Sequence, residues 1–183
     1  MVPDVPYNGG TMQRWIFVLI AASFAAAACD DNGATSPSSL PLVFSTVLSP
    51  ANEVPPVGNE EARGTGAAQF TLHVTRDSAG AVTGGTLDVY FQASGFPDGI
   101  TVVGAHIHPG AAGVNGPVLI GTRLTAAVPL VLTGGRGEFT QTGISVNAVN
   151  ATALINNPAG FYFNVHSPRN TGGFARGQLT AIR

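Results

Sequence analysis

The chain is poor in charge and in cysteine. Of its 183 residues only 10% are charged, all eight basic residues are Arg and none is Lys, and the formal net charge is -2. A nucleic-acid backbone needs a basic stripe to follow, so no nucleic-acid partner is expected. The single Cys, Cys29, excludes an intramolecular disulfide and a thiolate metal cluster. Too few charged residues and strong helix formers are present for a coiled coil, a helical bundle or a disordered chain. Also missing are a Gly-x-Ser-x-Gly elbow, a phosphate-binding loop opening a helix, and paired carboxylates beside a cleft-forming segment. No catalytic residue is named, and the chain reads as a binding protein more than an enzyme. What is plentiful is glycine, with 24 residues, and proline, with 13, alongside 44% hydrophobic residues. That composition leaves one turn-rich, mostly β domain.

The one long apolar run, residues 15–28, is interrupted only by Ser23. It is too short to cross a bilayer, which takes about 20 apolar residues, and suits the apolar core of an export signal. The small residues Ala26-Ala27-Ala28 before Cys29 resemble a lipobox, in which the Cys is lipidated and becomes the first mature residue. Residues 1–28 are therefore expected to be a signal peptide, with Met12-Gln13-Arg14 as its opening and residues 1–11 as an upstream extension. Residues 29–40 would be the lipidated Cys and a flexible tether, small, polar and without periodicity. The expected product is an exported, membrane-anchored lipoprotein facing the periplasm or cell surface. Its partners are then the membrane, through the lipid, and an envelope or extracellular protein.

Residues 41–183 carry the fold. Phe70-Thr71-Leu72-His73-Val74 alternates apolar and polar side chains, and Leu87-Asp88-Val89-Tyr90-Phe91 repeats the pattern. Further strands are expected at residues 42–48, 101–108, 118–124, 128–132, 137–142, 161–166 and 176–182, separated by turn signals such as Asp98-Gly99 and Gly134-Gly135. Residues 145–156 break the rule: Val146, Val149, Ala153 and Leu154 recur at helical spacing and predict one short helix over an open end. The fold class is all-β, an immunoglobulin-like or Greek-key barrel or sandwich of about nine antiparallel strands.

Several motifs, in order, resemble the CHRD (chordin-type) domain: Glu53-Val54-Pro55-Pro56, Ala105-His106-Ile107-His108-Pro109-Gly110, residues 113–118, Phe161-Tyr162-Phe163-Asn164-Val165-His166 and Arg176-Gly177-Gln178-Leu179. The resemblance implies an immunoglobulin-like β-barrel, distantly similar to copper/zinc superoxide dismutase, in a family without a settled biochemical function. Where that family usually has Gly-Glu ahead of Arg-Gly, this chain has Gly173-Phe174-Ala175-Arg176. Against the dismutase, His106 and His108 match a pair of copper ligands and His166 could stand for a late one. No His lies between His108 and His166, so the bridging imidazole has no counterpart and dismutation by that mechanism is not expected.

Strand parity puts His106 and His108 on one face, and Tyr162, Asn164 and His166 opposite the core-filling Phe161, Phe163 and Val165. If the two strands are neighbours, three imidazoles converge. Two readings of that convergence stand side by side. The histidines could hold copper or another transition metal. Alternatively, they and Asn164 could donate to carbonyls of the Gly-rich loop 109–117, the expected functional rim. His73 reads as surface, and Glu60-Glu61 as solvated charge. Arg176 is expected to hold the turn at residues 170–173 or to pair with Glu138 or Asp88.

Overall fold

The computed structural model describes residues 40–182. The predicted signal segment, Cys29 and the tether up to residue 39 lie outside the described residues. Eleven strands form: β1 Leu42–Leu48, β2 Thr65–Arg76, β3 Val82–Ser94, β4 Thr101–Val102, β5 Gly104–Pro109, β6 Ile120–Gly121, β7 Leu130–Val131, β8 Gly137–Asn147, β9 Phe161–His166, β10 Ala175–Gln178 and β11 Thr180–Ala181. Among the described residues one α-helix, α1, spans Ala148–Asn156.

The strands pair antiparallel into a five-stranded sheet of order β11-β1-β2-β3-β8, a four-stranded sheet of order β10-β9-β5-β6, and the small pair β4-β7. Alternation explains why the two larger sheets face each other. Phe44, Phe70 and Val89 lie in register across β1, β2 and β3 with their side chains buried. Phe163 of β9 meets this layer from the other sheet, its ring 5.0 Å from that of Phe70 and 5.7 Å from that of Phe91. Each such ring contributes roughly 2–3 kcal/mol by leaving water, and offset or edge-on pairs add about 1 kcal/mol.

The chain passes from the smaller sheet to the larger between β10 and β11. On that side Ser49 and Arg176 exchange both backbone hydrogen bonds, at 3.0 and 3.2 Å. On the other side β6 and β8 do not pair. The architecture is therefore a sandwich joined along one edge and not a closed barrel.

Several boundaries differ from the alternation pattern. The strand expected over residues 101–108 is divided between β4 and β5, and those over residues 118–124 and 128–132 shrink to two residues each. β8 runs on through Asn147, so Val146 belongs to a strand, and the helix starts at Ala148 with the Asn147 side chain accepting from the backbone N–H of Asn150 at 2.8 Å. α1 buries Ala151 and Leu154 and leaves Val149 77% exposed. Phe174 is fully buried and meets Phe96 edge-on with ring centroids 5.0 Å apart.

Candidate metal centre

The outer face of the four-stranded sheet is built by register. His106 of β5 lies beside Asn164 of β9, which lies beside Arg176 of β10; in the next row His108, Tyr162 and Gln178 align the same way. His166 stands across from Gly104. Loops cover this face so closely that Tyr162, Asn164, Arg176 and His108 are all buried.

The three imidazoles do converge: one ring nitrogen from each lies within 4.8 Å of the others. His106 Nδ1 and His166 Nε2 are 3.0 Å apart. Glycine makes room for the cluster, since a Cβ on Gly104 would stand 3.0 Å from His106 Cε1 and one on Gly121 3.5 Å from His106 Cδ2. Two backbone carbonyls orient the rings. His108 Nδ1 donates to Gly116 O at 3.0 Å and His166 Nδ1 to Thr171 O at 2.9 Å. A carbonyl only accepts, so both Nδ1 atoms carry a proton, and in the neutral ring each Nε2 keeps a lone pair. His166 Nε2 in turn accepts from His106 Nδ1. His108 Nε2 is buried with no hydrogen-bond partner among the described residues. Burial, then the neighbouring His166 and His108, hold His106 down to about 4. Burial also lowers His166, against the pull of Thr171 O. Both rings are neutral at physiological pH, the form in which imidazole binds a metal.

The rings converge as strand parity and the β5–β9 pairing require, and the loop finds partners other than those expected. His108 holds the loop 109–117 through Gly116 O, and Tyr162 Oη accepts from the Gly116 N–H at 3.2 Å. His166 and Asn164 do not reach that loop. They hold the turn after β9, His166 through Thr171 O and Asn164 through Gly172 O at 3.2 Å. The reason is register: residues 164 and 166 sit toward the end of β9 from which that turn departs.

Arg176 also differs from expectation. Its Nε donates to Asn52 O at 2.6 Å and its Nη1 to Asn115 Oδ1 at 2.8 Å, while the guanidinium carbon lies 4.4 Å above the Tyr162 ring. It fastens the segment after β1 and the loop 109–117 to β10, and it pairs with neither Glu138 nor Asp88. Glu138 accepts from Tyr90 Oη at 3.4 Å, and Asp88 faces exposed His73 at 3.0 Å. Glu61 is buried as well, where solvated charge was expected: its carboxylate accepts from Ser167 Oγ at 2.8 Å and Asn170 Nδ2 at 2.6 Å. The 3-10 turn Glu60–Arg63 turns Glu61 inward and leaves Glu60 outside with Arg169.

Sequence reasoning assigned no role to Glu53. Its carboxylate lies 4.0 Å from Arg176 Nε, is 4% exposed, and is pushed up to about 7 by burial, against the pull of Arg176 and Asn164. The available signal was an acid directly before Val-Pro-Pro in a charge-poor chain whose strand Arg176 lacked an obvious partner.

These shifts predict an opposed pH dependence. Below pH 6.5 the unfolded chain protonates His106 while the folded chain resists down to about 4, so stability falls on acidification through that window. Between 4.5 and about 7 the folded chain holds a proton on Glu53 that the unfolded chain releases, so this contribution falls as pH rises. With His166 lowered as well, the wild-type melting temperature should still fall on acidification between about pH 5 and 6.5, but less steeply than that of E53Q. Parallel profiles for the two proteins would contradict the Glu53 assignment.

The family model of the CHRD domain matches residues 44–179. No curated protein matches the chain.

Proposed function

The chain belongs to the CHRD domain family, and we propose that it uses this fold at the cell envelope to bind a transition-metal ion, copper in preference to zinc, on His106, His108 and His166. The observation that carries the reading is His108 Nε2: a buried lone pair without a partner among the described residues, beside two further imidazoles. Leaving such a group unsatisfied costs about 1–3 kcal/mol, whereas a cation turns the same lone pair into a bond. The hydrogen bonds from Nδ1 to Gly116 O and Thr171 O are the outer contacts that fix imidazole ligands in other metal sites. At metal–nitrogen distances of about 2.0–2.1 Å, ligand nitrogens stand roughly 3.4 Å apart, so the widest separation in the cluster, up to 4.8 Å, has to close by more than an ångström on loading. An all-imidazole set suits copper, zinc and nickel, and the general affinity order puts Cu(II) above Zn(II). Export and a lipid on Cys29, which fatty-acid labelling tests, would place the site outside the cytoplasm.

Titration of the metal-free protein with Cu(II) and Zn(II), followed by gel filtration and metal analysis, is expected to leave close to one ion per chain. Copper should be retained against equimolar zinc, and H166A should retain neither. NMR of the ring nitrogens supplies a second readout: if His106 ligates through Nδ1, its proton has to move to Nε2 on loading. Metal content no higher in the wild type than in H166A would refute the reading.

A further inference from the structure

A hollow lies on the outer face of the five-stranded sheet, away from the histidines. Ser45, Gln69 and Tyr90 alternate with the buried Phe44, Phe70, Val89 and Phe91, so they point away from the core. Register sets them in one row, in the order Thr180, Ser45, Gln69, Tyr90 across β11, β1, β2 and β3. A second row runs Val47, Ala67, Gln92. The small Ser45 and Ala67 are half-buried, whereas the longer Val47, Gln69, Tyr90 and Gln92 around them are exposed. The hollow so formed has a volume of about 500 Å³, and its lining includes both rows and Gln178. None of the residues lining it is charged. Gln178 spends its amide on the carbonyls of Gly110 and Ala159, at 2.9 Å each, but Gln69 and Gln92 hold theirs out to solvent. Tyr90 is 38% exposed, and its hydroxyl is restrained by Glu138 Oε2 at 3.4 Å.

We propose that this hollow binds an uncharged polysaccharide chain, laid across the strands from β11 to β3. The lining selects the class. An anion calls for a cationic side chain and a cation for a carboxylate, and the hollow is lined by neither. An aliphatic chain would cover the amides and hydroxyls without giving them partners, at a cost in free energy. A sugar chain uses what is present: amides and hydroxyls that both donate and accept, and one aromatic ring for the C–H face of a pyranose. Neighbouring strands lie about 4.8 Å apart, close to the length of one sugar ring, so the row from Thr180 to Tyr90 spans about 14 Å and would meet three rings in succession. The contact with Glu138 limits the swing of the Tyr90 side chain and so lowers the entropy lost on stacking. The site goes beyond the metal reading and shares no residue with it, since the three histidines lie on the other sheet.

The test is an NMR titration of nitrogen-labelled, metal-free protein with two uncharged probes, cellohexaose and the fully acetylated chitohexaose. The side-chain amides of Gln69 and Gln92 should shift saturably, in the millimolar range, with at least one of them. Gln141, whose Oε1 accepts from the Arg123 N–H outside the hollow, should stay unmoved. Y90A and the double variant Q69A/Q92A change only exposed positions and should stay folded. Each should bind about tenfold more weakly, read from the backbone amides of Ser45 and Thr180, which is the loss of one good contact. H166A should bind as the wild type does, so that failure of the metal reading leaves this site standing. Shifts that grow linearly with both probes, or binding undiminished in Y90A and in Q69A/Q92A, overturn the proposal and return this face to solvated surface.

Discussion

Replacing Arg176 with Met is expected to cost about 3–5 kcal/mol of stability, the range seen when one member of a buried charged pair is removed. The side chain is 1% exposed although β10 is an outer strand of its sheet. Met retains most of the stem, so the loss comes from the guanidinium and not from an empty cavity. Asn52 O and Asn115 Oδ1 lose their donor, the Tyr162 ring loses its cation, and Glu53 loses the one positive neighbour that offsets its burial. Lys at the same position keeps the charge without the planar fork, so R176K should fall between Met and wild type. The double variant R176M/E53Q should recover part of the loss, because it no longer buries an uncompensated carboxylate. Urea unfolding of the four proteins measures all of this. If R176M lies within about 1 kcal/mol of wild type, Arg176 does not hold the two loops, since ordinary surface changes have effects of that size or smaller.

How much of this was legible depends on the range of the interaction concerned. β1 and β9 were predicted to their end residues, Leu42–Leu48 and Phe161–His166, and each has a paired neighbour on both sides in its sheet. Parity puts His106 and His108 on one face of their strand and His166 on the outer face of its own, and the pairing of β5 with β9 brings the three together. The edges were less legible. Strand β6 keeps two residues because it pairs only with β5, and the apolar residues Val118 and Leu119 beside it belong to a loop. Val146 and Val149 imitated a helical face, but one closes a strand and the other points to solvent, so the buried helical pair is Ala151 and Leu154. Polar partners were the least legible. Arg176 finds Asn52 and Asn115, distant in sequence, through the Ser49 bridge between β1 and β10, and no local pattern encodes that meeting. Glu61 is similar: its neighbours Ser167 and Asn170 come from the turn after β9.

His108→Ala separates what the imidazole does for the loop from what it does for a metal. In the metal-free protein the substitution removes the bond to Gly116 O and the stacking on Tyr162, whose ring is 4.9 Å away and nearly parallel. Those losses together should amount to about 1.5–3 kcal/mol. The loop has little room to adjust, since even a Cβ on Gly116 would collide with Pro109 O. Its amides at residues 111–116 should therefore exchange faster in the variant. Copper at a thousandfold excess over its dissociation constant adds about 4 kcal/mol to a protein that binds it and nothing to one that does not. The stability gap between wild type and H108A should accordingly widen by roughly that amount on loading, to about 5.5–7 kcal/mol in all. An unchanged gap would remove the metal from His108 while leaving it as the tie to Gly116. A gap that is absent without metal and opens with it would do the reverse, assigning His108 to the ion and leaving the loop to Tyr162 and Arg176.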